Sequence, residues 1–277
     1  MTPQEELREH LQKEGAYAIF VTGAGISLAS GIPTFRGSDP GAVWAEDVLE
    51  MGTLKFFQHK PVKAWQWYLE RFSKCRTADP NPAHIALADI EAWLMDRGCE
   101  SLTVTQNIDG LHLAAGTLNL AEVHGSARKI RCSSKNCVNG APAGFLPWSD
   151  EFFIKFLEEP THQNLPRCPQ CNRILRAHVL WFDEYYSAHE DYHIDDVYLA
   201  VDKATVVVFI GTSLSVGVTD YILSESLNNG VPVFTVDPNM EEVAPPPQVF
   251  LLGPPASWKL IREPAEVFLP SLMDSLG

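Results

Sequence analysis

No uninterrupted apolar run in this chain approaches the roughly 20 residues that a membrane-spanning helix needs, although 45% of its 277 residues are hydrophobic. A membrane partner is therefore not expected. Basic residues are scarce: 21 Lys and Arg against 35 Asp and Glu leave a net charge of −14. Non-specific nucleic-acid binding needs a basic footprint, so that class is excluded as well. The same charge suits cationic partners such as lysine-rich protein segments, and it also serves solubility. Met1–Gly15 holds four glutamates and no long apolar stretch. This fits neither a secretory signal nor an Arg-rich transit peptide, so the expected location is intracellular and cytoplasmic. Cysteine is sparse too. Six of them in an intracellular chain point to metal ligation or buried thiols, not to a disulfide framework. Internal repeats and low-complexity tracts are absent, and nothing in the pattern specifies an oligomeric state.

What is present is an alternation of helical and strand-like patterns, which predicts an α/β fold with a largely parallel sheet. Strand candidates are 17–21, 101–105, 205–210, 231–236 and 248–252. The first three run into Gly- or Asn-bearing loops, where such sheets place ligands. Asn81-Pro82 predicts a helix start before the amphipathic stretch His84–Met95, with Asn as cap and Pro at the first helical position. Two regions break the rhythm: 38–78, aromatic and helical in pattern, and 125–176, rich in Pro and Cys. They read as two insertions building a smaller lobe, with 1–37, 79–124 and 177–277 forming the main domain. The proline-heavy 241–256 reads as loop around a short strand.

Val21–Gly37 reads V-T-G-A-G-I-S-L-A-S-G-I-P-T-F-R-G. Glycines at 23 and 25 allow a tight turn and close approach to a phosphate, and Ser27 is placed to open a helix whose N-terminus favours that charge. The spacing departs from the usual dinucleotide fingerprint, since position 28 is Leu and the next glycine is Gly31. The Pro33-Thr34-Phe35-Arg36-Gly37 tail adds an aromatic ring and a cation. Alone, the G-x-G is also compatible with an ordinary strand–helix turn.

Two close cysteine pairs, Cys132/Cys137 and Cys168/Cys171, have the spacing of a tetrahedral thiolate zinc site, closed and therefore structural. Four reduced thiols are the other reading. Cys75 and Cys99 fall outside the pattern and read as small buried apolar residues. Thr105–His112 (T-Q-N-I-D-G-L-H) places amides and a carboxylate after a strand, either to hold ribose and carboxamide groups in a pocket or to cap the next helix. His124 ends an apolar stretch, where an imidazole serves as a base near neutral pH. Most other histidines, including His10, His162 and His189, are expected in solvent.

In order, G-A-G-I-S (23–27), T-Q-N-I-D-G-L-H (105–112), H-G (124–125), the cysteine pairs, V-L-W-F-D-E (179–184) and G-T-S (211–213) resemble the motifs of the sirtuins, the NAD-dependent protein lysine deacylases. The likeness spans almost the whole chain. It implies a Rossmann-like parallel sheet with helices on both faces, plus a zinc-binding lobe. It also implies NAD as co-substrate, acyl-lysine protein substrates, and nicotinamide and O-acyl-ADP-ribose as products. On this resemblance the catalytic residues are His124, as base on the ribose hydroxyls, and Asn107. Gln106 and Asn107 hold the ribose; Asp109 and the Ile108 backbone hold the carboxamide. Gly23, Ala24, Gly25 and Ser27 cradle the diphosphate, and Thr34, Phe35 and Arg36 close over the reacting ribose. Gly211, Thr212, Ser213, Asp237, Pro238 and Ala256 line the adenosine side. Substrate backbone would lie as a strand between 180–184 and 215–217, against Val179, Trp181, Phe182 and Val216.

Three departures stand out. Asp183 takes the place of the family's usual Gly, Ala177 that of a Pro, and Asp237 that of a frequent Asn. Tyr68 and Arg71 lie three apart on one predicted helix, matching the Y-x-x-R of desuccinylase-type sirtuins, with the small Gly52 upstream. Arg71 would grip an acyl carboxylate through its fork, assisted by the Tyr68 hydroxyl. An acidic acyl group is thus expected alongside acetyl. The alternative on the same scaffold is ADP-ribosyl transfer or NAD hydrolysis.

Overall fold

The computed structural model describes residues 1–33, 46–240 and 257–277. Its centre is β1 (Tyr17–Thr22), buried along its whole length from Ala18 onward, as a strand covered on both faces must be. Ala18 and Phe20 point to one face, Ile19 and Val21 to the other. Around it lie β2 (Glu100–Thr105), β3 (Leu120–Glu122), β7 (Val206–Ile210), β8 (Val233–Val236) and β9 (Trp258–Ile261). All pair in parallel, in the order β3-β2-β1-β7-β8-β9. On one face pack α1 (Pro3–Leu11), α6 (Pro82–Asp96) and α11 (Ala265–Leu276). On the other pack α9 (Ile194–Lys203) and α10 (Gly217–Asn228). This is the largely parallel sheet that the strand pattern predicts, with helices on both faces as the resemblance implies.

The sheet's last strand differs from expectation. Candidate 248–252 lies outside the described residues, and Trp258–Ile261 occupies the edge instead. Its W-K-L-I alternation is too short and too charged to stand out as a strand before β8 is there to pair with it. Strand 231–236 begins only at Val233, because Val231 and Pro232 are spent on the turn. The α6 start is as read: Asn81 accepts from Ala83 N–H, and Pro82 takes the first position.

The second lobe is a three-stranded sheet of β4 (Gly125–Cys132), β5 (Leu146–Pro147) and β6 (Leu175–Val179), in the order β5-β4-β6 and antiparallel. Ala177–Val179 therefore bonds to β4, although the sequence boundary places it in the main domain. Four helices join it: α2 (Glu46–Met51), α3 (Leu54–His59), α4 (Pro61–Arg71) and α5 (Ser73–Thr77), while α7 (Leu111–Ala115) stays with the large sheet and α8 (Ile154–Glu158) lies in the second insertion. Trp65, Tyr68 and Phe57 from the first insertion share one core with Ile130, Phe153, Phe156 and Leu175 from the second. Neither insertion could bury its apolar face alone. The described helices include none long and apolar enough to cross a membrane.

Candidate active site

The parallel strand order reverses between β1 and β7, and the crevice beyond their carboxyl ends is where such sheets bind ligands. There Gly23 N–H donates to the Ile210 carbonyl (3.0 Å) and Gly25 N–H to that of Gly211 (2.8 Å). A Cβ on Gly25 would sit 2.6 Å from Gly211 Cα, and one on Gly23 2.7 Å from the Gly211 oxygen. Glycine is thus demanded by contact between two loops, a reason that the sequence reading, which invoked phosphate approach, did not contain. The segment that follows is a 3-10 turn, Ala24–Ser30, closed by Gly31 in the left-handed region, and not an α-helix opening at Ser27. Ile26 N–H bonds back to Gly23, an i to i+3 link that tightens the coil.

The loop after β2 is stitched across this turn. Gln106 donates its amide to the Thr22 carbonyl (3.2 Å) and to Thr212 Oγ1 (2.9 Å). Asn107 donates to the Gly23 carbonyl (2.9 Å) and to Ser27 Oγ (3.1 Å). The Ser27 hydroxyl in turn donates to Asp109 Oδ2 (2.8 Å), while Leu111 N–H donates to Oδ1 (3.0 Å). Burial raises the Asp109 carboxyl, and these donors together with Arg128 pull only part of the way back. Arg128, which no sequence motif singles out, bonds the Asp109 carbonyl (2.7 Å) and that of Ala78 (2.9 Å). It fills the space where a Cβ on Gly110 would go. Beneath lie His112 and His84, buried and edge to face at 4.9 Å, with His112 Nε2 against Thr22 Oγ1 at 2.9 Å. Burial keeps both rings neutral.

His124 stands where the chain crosses from β3 to β4. Its Nδ1 lies 2.8 Å from the Gln106 carbonyl. A carbonyl only accepts, so Nδ1 carries the proton and Nε2 is the free base. The ring is half-buried, and burial holds its pKa below the ordinary 6.5 against a partial rise from that bond. A neutral imidazole with Nδ1–H anchored and an unprotonated Nε2, here 3.3 Å from the Tyr186 hydroxyl, has the protonation state that a general base needs at pH 7.

Other predicted residues are placed as follows. Ala24 and Ile108 are half-buried, Thr212 is buried, Ser213 is exposed with its hydroxyl 2.7 Å from that of Ser215, and Val216 precedes α10. Asp237 follows β8 and accepts from Asn239 N–H (2.8 Å); Pro238 is exposed beside it. Thr34, Phe35, Arg36 and Ala256 lie outside the described residues. The sulfurs of Cys132, Cys137, Cys168 and Cys171 all fall within 4.8 Å of one another. Ser134 N–H points at Cys132 Sγ and the Asn139 amide at Cys168 Sγ. Four thiols converging under N–H donors fit one tetrahedral zinc ion. Cys75 and Cys99 are buried apart from them. His189, expected in solvent, is buried, its Nε2 on the Gly144 carbonyl at 3.1 Å; its place between two loops could not be read from local pattern.

Val179 ends β6, and Leu180 N–H donates to the His124 carbonyl (2.9 Å). Residues 180–184 are not a strand. Glu184 reaches back to Arg176 (2.6 and 2.7 Å) and accepts from Trp181 N–H (3.1 Å), folding the segment into a turn. Asp183 is explained by the first insertion: its two oxygens accept from Leu54 N–H (2.6 Å) and Lys55 N–H (3.0 Å), capping α3. Phe182 N–H bonds the Gly52 carbonyl, and a Cβ on Gly52 would come 3.0 Å from the Phe182 ring. Behind the turn is a cavity lined by Met51, Phe57, Ala64, Trp65, Trp67, Tyr68, Ala177 and Trp181. Tyr68 is buried and its hydroxyl has no partner among the described residues. Arg71, three residues on, is exposed, and no bond brings it to Tyr68.

A profile of the Sir2 family matches residues 23–218. An NAD-dependent protein deacylase of Pyrococcus abyssi is 36% identical over 237 residues, spanning 85% of this chain and 87% of its own. The mitochondrial NAD-dependent protein deacylase sirtuin-5 of Xenopus tropicalis is 35% identical, over 82% and 74%. The crystal structure of a Sir2 homolog–NAD complex superposes with a TM-score of 0.75 at 30% identity, covering 98% of this chain and 93% of that one. With the glycine turn, the stitched T-Q-N-I-D loop, the anchored His124 and the four-cysteine lobe in one fold, the chain belongs to the Sir2 family.

Proposed function

We infer that this chain is an NAD-dependent protein-lysine deacylase stabilised by one structural zinc ion. The observation that carries the reading is His124, neutral and anchored through Nδ1 to the Gln106 carbonyl, beside the loop that holds Asn107 and Asp109. When bound, NAD supplies an ADP-ribosyl electrophile and nicotinamide as leaving group. Asn107 spends its amide protons on Gly23 and Ser27, which turns its carbonyl oxygen toward hydroxyl donors such as those of a ribose. Asp109 and the Ile108 backbone are the match for a carboxamide. His124 Nε2 takes the proton from a ribose hydroxyl as the acyl group moves to that oxygen. The zinc ion holds two loops together and takes no part in the chemistry.

The acyl group is proposed to be acidic as well as acetyl. Support comes from Tyr68, whose buried hydroxyl waits for an acceptor in an otherwise apolar cavity; burial pushes its pKa up, so it stays a donor. Arg71 lies one turn further along α4 at the exposed end. The test is incubation with NAD and acetyl- or succinyl-lysine peptides, following nicotinamide, O-acyl-ADP-ribose and free lysine. Nicotinamide release that ignores the peptide would favour NAD hydrolysis and overturn the deacylase reading. Arg71→Met should lower succinyl removal at least about tenfold more than acetyl removal; equal losses would reject the acidic pocket.

A further inference from the structure

Tyr186 lies in the 3-10 turn Tyr186–Ala188, just past the W-F-D-E turn, and no motif read from the sequence includes it. Its hydroxyl is 3.3 Å from His124 Nε2, and the two rings stack at 5.8 Å with an interplanar angle of 21°. Proton placement follows from chemistry alone. The Gln106 carbonyl forces the imidazole proton onto Nδ1, so Nε2 has only a lone pair and the Tyr186 hydroxyl must be the donor. A two-bond chain results: tyrosine hydroxyl to Nε2, Nδ1–H to carbonyl.

We propose that Tyr186 is a positioning residue for the base, its hydroxyl holding the unprotonated Nε2 of His124 in place between turnovers. The proposal rests on the reading of His124 as base. The ring is then fixed at both nitrogens and on one face. Turn and base are also linked through the backbone, since Leu180 N–H bonds the His124 carbonyl. The segment that lines the acyl cavity and the group that works on the ribose are therefore oriented by the same short stretch, 180–186.

Tyr186→Phe keeps the ring stack and removes only the hydroxyl. It should lower kcat about three- to tenfold, the worth of one hydrogen bond, and leave KM for peptide and NAD within about twofold. In protein labelled with 15N-histidine, above the imidazole titration, the Nε2 resonance should move in Tyr186→Phe, because its lone pair has lost a donor. A wild-type kcat or an unmoved Nε2 resonance in this variant overturns the proposal. Tyr186→Leu, which also removes the stack, should lose no less than Tyr186→Phe. His124→Ala decides the base reading separately: full activity there removes the base, while the Nε2 resonance of the Tyr186 variant still reports whether the hydroxyl holds the ring.

Discussion

The two sheets of this molecule are held by different forces. In the large one, β1 from Ala18 to Val21 and the whole of β7 are apolar and buried between helices on both faces, so area removed from water stabilises them. In the small one, β4 and β6 bury Arg131, Arg176 and His178 at 2%, 4% and 0% exposure. Those groups pair with Tyr192, Glu184 and Asp191, and four thiols converge at the end of β4. The small sheet has an apolar core as well, with Trp65, Phe153 and Phe156 at its centre, and ion pairs and the four-cysteine site add to it at the strand ends. The geometry divides accordingly: an apolar platform presents the loops at Gly23–Ser27 and Gln106–Asp109, and a lobe pinned in part by ion pairs and thiols borders the cavity beside Trp181.

That contrast can be broken from either side. The largest expected effect belongs to the platform edge. His124→Ala should lower O-acyl-ADP-ribose formation by about 10³-fold, within the range of a lost general base, with circular dichroism unchanged; a small loss would move the base elsewhere. Next comes Cys168→Ser, which should cost the lobe its metal and lower the melting temperature by about 10 °C, zinc content falling with it. Retained stability without zinc would contradict the assigned dependence. Third, Glu184→Gln leaves Arg176 and Arg131 buried without their anion. Both Arg176 and Glu184 are under a tenth exposed, so the expected loss is about 3–5 kcal/mol, read from a denaturant midpoint.

The smallest effects are in pH, and the two regions should titrate apart. His124 has its pKa lowered below 6.5 by burial. The base is therefore neutral at pH 7, and the acid limb of kcat/KM should lie below pH 6.5; a limb above that value would contradict the geometry. In the lobe, burial would raise Asp191, but bonds from His178 and Lys129 overcome it and hold the carboxyl at about 2. A depressed carboxyl stabilises the fold above its unfolded value of 3.8 and loses that contribution as pH falls toward about 2. Acid unfolding should thus begin in the lobe, monitored by its tryptophans, well below the pH at which catalysis fades.

Much of the platform was legible beforehand because its signals are local. Continuous apolar strands and Asn81-Pro82 at a helix start each act through neighbours in sequence, and the cysteine spacing needs only two short turns. The same holds for Gln106, Asn107 and Asp109, whose loop follows directly from a strand end. Less of the lobe was readable. The resemblance sets substrate backbone as a strand beside 180–184, yet the Glu184–Arg176 pair folds that segment into a turn. Asp183, a departure when read in line, caps a helix from an insertion more than a hundred residues earlier. His189 is buried against His178 of β6 and Tyr192, with Nε2 on the Gly144 carbonyl.

By itself, then, the amino-acid order determined the largely parallel sheet and the paired cysteines, since both rest on periodicity or fixed spacing, whereas His124 was singled out only through the family resemblance. Tertiary structure alone decided why Gly25 must be glycine, which way Tyr68 and Arg71 part company along α4, and that Tyr186 meets His124. Those depend on pairs distant in the chain, whose contact is set by how two insertions pack against one sheet edge.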